Sequence, residues 1–134
     1  MRIDSHQHFW TFTGNQSDYV WMTGEYEVLG RDFGVDELRP LLESAGYDGT
    51  IAVQAREMPK ETGYLLVLAA AHQEIMGDVG WHELCSPDIE RDLERHADQQ
   101  KLKGLRMLIH DRTDPEFANS DPHVNGVSKL ANSV

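Results

Sequence analysis

Apolar positions recur along this chain at two spacings, and the two spacings alternate. Residues 35–46 carry Val35, Leu38, Leu41, Leu42 and Ala45 at steps of three and four, the signature of one helix face, and Gly46 supplies a stop. Pro40 lacks an amide hydrogen and suits only a first turn, which predicts that the helix proper starts near Asp36. Residues 49–55 then read as a strand, with Ile51 and Val53 on one face and Ala52, Gln54 and Arg56 on the other. A helix is predicted at 59–73, opened by Pro59 and carrying Leu65, Leu68 and Ala69, with His72 beside that stripe as a partly buried packing residue. Residues 76–81 read as a third strand. Ser86 as N-cap, Pro87 at the first helical position and Asp88 in the first turn predict a third helix, buried through Ile89, Leu93 and Ala97 and leaving His96 half-exposed. Residues 102–109 read as a fourth strand, with Arg106, Leu108 and His110 on one face and Leu105, Met107 and Ile109 on the other. Asp121-Pro122 opens a last helix with Val124, Val127, Leu130 and Ala131 at helical spacing.

A further strand opens at Ile3, so the predicted order is β-α-β-α-β-α-β-α. Strands alternating with helices demand right-handed crossovers and a parallel sheet, the α/β class. No linker, low-complexity tract or charge run divides residues 1–134. The long connection at 9–34 sets Trp10, Tyr19, Trp21 and Tyr26 among Gly, Asn, Ser and Asp. A segment of that length serves as a lid or pocket wall, or as a cap that touches no ligand.

The first ten residues hold the candidate chemistry. On a regular strand His6 and His8 share a face with Arg2 and Asp4, while Ile3 and Ser5 take the other. A face ending in two imidazoles makes a poor core and a reasonable start for a metal or oxyanion site, although His-x-His alone is a weak signal. Twelve basic against twenty-three acidic residues give a net charge of −11, which excludes a phosphate-neutralising surface and so nucleic-acid binding. The 40% apolar and 26% charged fractions are those of a soluble globular domain with a core of its own. No apolar run reaches the ~18 residues of a membrane span, and Met1-Arg-Ile-Asp is no signal peptide. The lone Cys85 has no internal disulfide partner and reads as a packing residue, which fits a reducing cytoplasm.

Asp4-Ser-His-Gln-His-Phe-Trp10 resembles the opening of amidohydrolase-superfamily barrels, and more narrowly the lactonase group that includes L-fuconolactonases and L-rhamnonolactonases. The likeness continues through residues 45–56 (Ala-Gly-Tyr-Asp-Gly-Thr-Ile-Ala-Val-Gln-Ala-Arg), Val79-Gly-Trp81 and Lys103-Gly-Leu-Arg106. It implies that residues 1–134 are the first four β/α units of a TIM-like (β/α)8 barrel, a parallel half-barrel, since a whole barrel takes eight units and about 250 residues. On that reading the chain looks truncated, with further strand-end ligands beyond it.

The reaction implied is hydrolysis of an aldono-1,4-lactone, which needs an activated water, a polarised carbonyl and a proton for the leaving alkoxide. His6, His8 and His110 are the implied catalytic residues; Gln54, Arg56, Trp10, Trp81, His82 and Arg106 are candidates for holding substrate. Either one zinc-like divalent ion sits on His6 and His8, or the chemistry is metal-independent and the pair meets substrate directly. Two imidazoles fall short of the three protein ligands zinc prefers. Gln54 and Arg106 also suit structural hydrogen bonding inside a barrel, and Arg56 an ion pair at its rim. Two alternatives stand beside this reading: a pyrone dicarboxylate lactonase, which wants more cationic donors, and a non-catalytic half-barrel whose open edges pair two copies into a homodimer.

Overall fold

A computed structural model describes residues 1–133. Four strands, β1 (Ile3–Gln7), β2 (Gly49–Val53), β3 (Ile75–Gly80) and β4 (Leu102–Leu105), form one sheet in the order β1-β2-β3-β4, with every neighbouring pair parallel. The connections carry α1 (Val35–Ala45), α2 (Lys60–Ala71) and α3 (Ile89–Glu94), and α4 (Asp121–Ala131) follows β4. This is the α/β half-barrel of the sequence reading, with four of the eight strands of a closed barrel.

The helices cover one sheet face. Val35 of α1 and Leu65 and Ala69 of α2 pack on Ala52, Ile75 and Phe9 to form the main core. On the other face, Ile3, Ile51 and Val79 are only half-buried. A second cluster joins Leu84, Ile89, Leu93 and Met107, with Leu130 of α4 and Phe117 against it. No helix among the described residues is long and apolar enough to cross a membrane.

Several boundaries differ from the sequence reading. Helix α1 starts at Val35, so Pro40 lies in its second turn and leaves the Asp36 carbonyl without its usual donor. Gly46 closes the helix in the left-handed conformation, φ 70°, as a glycine stop should. Ser86 does not cap α3: its hydroxyl accepts from the Asp88 amide in a preceding turn, and the helix begins at Ile89. Strand β4 ends at Leu105 rather than Ile109.

The face of α4 is rotated from the expected one. Val124 and Val127 are exposed, and Gly126 is the buried residue. A Cβ added at Gly126 falls 2.0 Å from the Leu84 carbonyl oxygen. The missing side chain is what lets the helix backbone meet the Leu84 backbone. Gly126→Ala is therefore expected to lift α4 off the second cluster and cost about 1–3 kcal/mol. Urea unfolding of the variant checks this, and unchanged stability would show that α4 docks otherwise.

Candidate functional site

The opening strand is irregular where the histidines lie. Asp4 pairs with Thr50 but Gln7 pairs with Ala52, so β1 spends three residues against two on β2. This bulge inverts the alternation: Asp4 and Gln7 fall on one face, and the Gln7 amide donates to Asp4 at 2.5 Å. His6 and His8, on either side of Gln7, point to the other face. Asp4 therefore does not share the histidine face, contrary to simple alternation.

The two imidazoles converge. Their Nε2 atoms lie 3.1 Å apart, with the rings edge to face at 4.8 Å between centroids. His8 Nδ1 is 2.9 Å from the Val53 carbonyl, which must be accepting an Nδ1–H. That bond fixes the tautomer and leaves the His8 Nε2 lone pair aimed at His6. Burial lowers the His8 pKa; the Val53 carbonyl partly opposes this, and the nearby His6 and Arg106 add to the lowering. The ring is neutral at pH 7, as a ligand or proton acceptor must be.

Arg106 and Gln54 complete the cluster. The Arg106 Nη2 donates to the Gln54 backbone carbonyl (3.0 Å) and side-chain oxygen (3.1 Å), and Nη1 reaches 3.5 Å from His6 Nε2. Gln54 is fully buried. Strand ends of β1, β2 and β4 thus bring two converging imidazoles and one fixed guanidinium to a single place.

Two nitrogens on one tetrahedral zinc stand about 3.3–3.4 Å apart, from Zn–N bonds of about 2.0–2.1 Å. The observed 3.1 Å between the two Nε2 atoms is close to that spacing. Among the described residues no group of three or more His, Cys, Asp or Glu gathers to complete it.

Other sequence candidates fall elsewhere. Arg56 was expected to share a face with Gln54, but the strand ends at Val53 and Arg56 turns toward α2. There its Nε donates to Glu61 (2.6 Å) and its Nη1 to Asp18 (3.0 Å), almost wholly buried. Trp10 belongs to a cluster inside the 9–34 connection with Tyr19 and Met22, and its indole N–H donates to the carbonyls of Arg31 and Leu29. The Trp10–Phe33 backbone bridge closes that loop on itself. Trp81 is buried, its backbone held at both N–H and C=O by the Thr62 hydroxyl of α2. His82 is buried against His96, 5.2 Å between centroids, and burial lowers its pKa, with His96 adding to the effect. His110 is exposed beside Asp111 at 3.3 Å. A strand running to Ile109 would put it on the Arg106 face; with β4 ending at Leu105, that alternation does not reach it.

Three carboxylates escaped the sequence reading: Glu57, Glu61 and Asp78. Glu61 and Asp78 are completely buried. Glu61 sits in the first turn of α2, where an acidic residue is common enough to hide a buried role. Asp78 sits amid apolar strand residues, and that position was the available signal.

A parallel β/α half-barrel whose first strand ends in a converging His-x-His pair resembles the N-terminal half of an amidohydrolase-type barrel. The chain is similar to the L-fucono-1,5-lactonase of Burkholderia multivorans, 38% identical over 133 residues, which are 97% of this chain and 43% of that protein. Two crystal structures of an amidohydrolase from Burkholderia multivorans superpose on 99% of the chain and 46% of their own length. One has bound HEPES (TM-score 0.91, 37% identity) and the other bound zinc (TM-score 0.88, 39% identity). A probable 2-pyrone-4,6-dicarboxylic acid hydrolase from Acinetobacter baumannii shares the fold at TM-score 0.69 and 14% identity, over 98% of this chain and 46% of its own. No family model matches the sequence. The chain thus spans less than half the length of the curated relatives it matches.

Proposed function

We propose that residues 1–134 are the N-terminal half of a barrel domain that hydrolyses a sugar-acid lactone. The observation that carries this is the His6–His8 convergence beside Arg106, in a chain similar over nearly all its length to a lactonase. The relative's name points to a 1,5-lactone, where the sequence reading took a 1,4-lactone. Water adds to the lactone carbonyl, the ring C–O bond breaks, and the water's proton ends on the departing ring oxygen, leaving the open aldonic acid. His8 contributes a neutral nitrogen held by Val53, and Arg106 offers a fixed cation to the carbonyl oxygen as it gains charge.

His6 and His8 would hold a zinc-like ion through Nε2, with further ligands from outside residues 1–134. When bound, that ion supplies Lewis-acid polarisation and a water of lowered pKa. In the metal-independent version, His6 takes the proton from water and returns it to the ring oxygen. Retention of zinc through dialysis by the protein at its natural length, lost in a His6→Ala/His8→Ala double variant, is the expected result, while residues 1–134 alone, with two imidazoles, are expected to bind it weakly or not at all. Full turnover by zinc-free protein would favour the metal-independent version. Cytoplasmic location and a place in carbohydrate metabolism belong to the same proposal, supported by the lone Cys85 and the lactone chemistry; a homodimer paired through open sheet edges belongs to the alternative of a non-catalytic half-barrel.

Assay of the protein at its natural length against aldonolactones and pyrone lactones tests the assignment. Aldonolactone hydrolysis is expected. A pyrone dicarboxylate is the weaker substrate class, because one arginine, not two, stands beside the histidine pair. Hydrolysis confined to phosphoesters or amides would overturn the lactonase reading.

A further inference from the structure

We propose that Glu57 is a positioning residue that fixes Arg106 beside the histidine pair. Which reaction this serves rests on the lactonase reading; the positioning itself does not. One oxygen of Glu57, Oε1, accepts from three donors: Arg112 Nη2 at 2.9 Å, the Leu108 backbone N–H at 3.1 Å and the Trp81 indole N–H at 3.4 Å. Glu57 itself follows β2, Trp81 follows β3, and Leu108 and Arg112 follow β4. A single carboxylate therefore ties three strand exits together.

The tie matters because β4 stops early. The Arg106 N–H still donates to the Gly80 carbonyl, 2.9 Å, as a ladder bond would. Two residues on, the Leu108 N–H meets Glu57 instead of a strand. The carboxylate stands in for the sheet, and Arg106 lies between these two anchors. Arg112 braces the same stretch, donating from Nε to the Leu108 carbonyl at 3.0 Å while its guanidinium lies over Phe117. The direction in which Arg106 leaves the backbone, toward Gln54 and His6, is set by this pair of anchors. Burial lowers the Arg106 pKa, and the Glu57 charge partly opposes this. The Arg106 Nε is buried and has no partner among the described residues, so its proton exchanges slowly only while the side chain stays in place.

That proton is the direct readout. In a 1H–15N spectrum, the Arg106 Nε–Hε resonance, identified by its absence in Arg106→Lys, is expected to be resolved in the wild type and kept in Glu57→Gln, which retains an acceptor oxygen. It is expected to move to the solvent-exposed arginine position or vanish in Glu57→Ala, while the Trp10 indole resonance stays put. Should Glu57→Ala fail to fold, Glu57→Asp withdraws the acceptor by one methylene and is expected to move the same resonance. An Arg106 resonance unmoved in the folded alanine or aspartate variant overturns the proposal.

On lactone substrates, Glu57→Ala is expected to lower kcat/KM roughly 10- to 100-fold, the scale of a misplaced group. The same substitution should lower it no further in an Arg106→Ala background. An undiminished loss there would mean that Glu57 acts elsewhere. If the wild type opens no lactone, the lactonase reading fails, and the Arg106 resonance still decides the positioning.

Discussion

Arg56→Ala is expected to destabilise the protein by about 3–5 kcal/mol, the usual consequence of removing one partner from a buried ion pair. Glu61 is wholly buried, and its two oxygens take the Arg56 Nε and the Ala55 backbone N–H. Without the guanidinium, that carboxylate keeps a single backbone donor and no counter-charge. Asp18 loses a partner too but retains Lys60 at 2.7 Å, so the damage centres on Glu61. The Tyr19 and Tyr64 rings also lie near Arg56 and lose that contact. A double Arg56→Met/Glu61→Gln variant removes both charges and is expected to recover much of the stability, because neutral packing replaces the pair. Urea unfolding of the single and double variants measures both. An Arg56→Ala protein of wild-type stability with only a raised KM would return Arg56 to the substrate site.

The second large effect concerns Asp78. Both of its carboxylate oxygens are buried without a hydrogen-bond partner among the described residues. Burial pushes its pKa up to about 7, with the nearby Lys101 only partly opposing it. Lys101 instead spends its ammonium on the carbonyls of Ala69 (2.6 Å) and Ile75 (2.8 Å). The folded pKa is raised, so the native state holds a proton that the unfolded chain releases above pH 4. The resulting stability is fully present below the unfolded value and is lost as pH rises through about 7. Between pH 5 and pH 8 this group alone removes about 3 kcal/mol, at about 1.4 kcal/mol per pKa unit. Asp78→Asn is expected to flatten that decline and to be the more stable protein at pH 8. Denaturant midpoints at pH 5 and pH 8 decide it; parallel pH profiles for the two proteins would show that Asp78 is compensated in the fold.

Much of the scaffold is legible in the sequence. The three-and-four spacing of Val35, Leu38, Leu41, Leu42 and Ala45 with Gly46 behind it located α1, because a helix that buries one face must repeat at its own period, yet Leu41 and Ala45 of that stripe are exposed. The β/α alternation implied a parallel sheet, and the strand order β1-β2-β3-β4 follows from short right-handed crossovers. The His-x-His motif and its family resemblance pointed to the right pair of side chains. Alternation from Ile3 alone, however, put Asp4 with them. The bulge that separates Asp4 from His6 depends on how β1 registers against Thr50 and Ala52, residues 46 and 45 positions away.

The sequence by itself determined the local periods, the stops and the chemical types available. Tertiary structure decided which polar residues met. Gln54 and Arg56 stand two apart, as strand neighbours on one face do, yet one turns to Arg106 and the other to Glu61, because the strand ends between Val53 and Gln54 and alternation ends with it. His110 and Arg106 parted for the same reason at Leu105. Glu57 looked like any exposed loop acid, since its donors lie 24 to 55 residues along the chain and no local pattern marks them. Gly126 gave no hint of a buried face, because a helix face made by the absence of a side chain leaves no apolar signal. Periodicity is a property of neighbouring residues, whereas a site is made where distant strand ends converge, and the folded sheet sets that convergence.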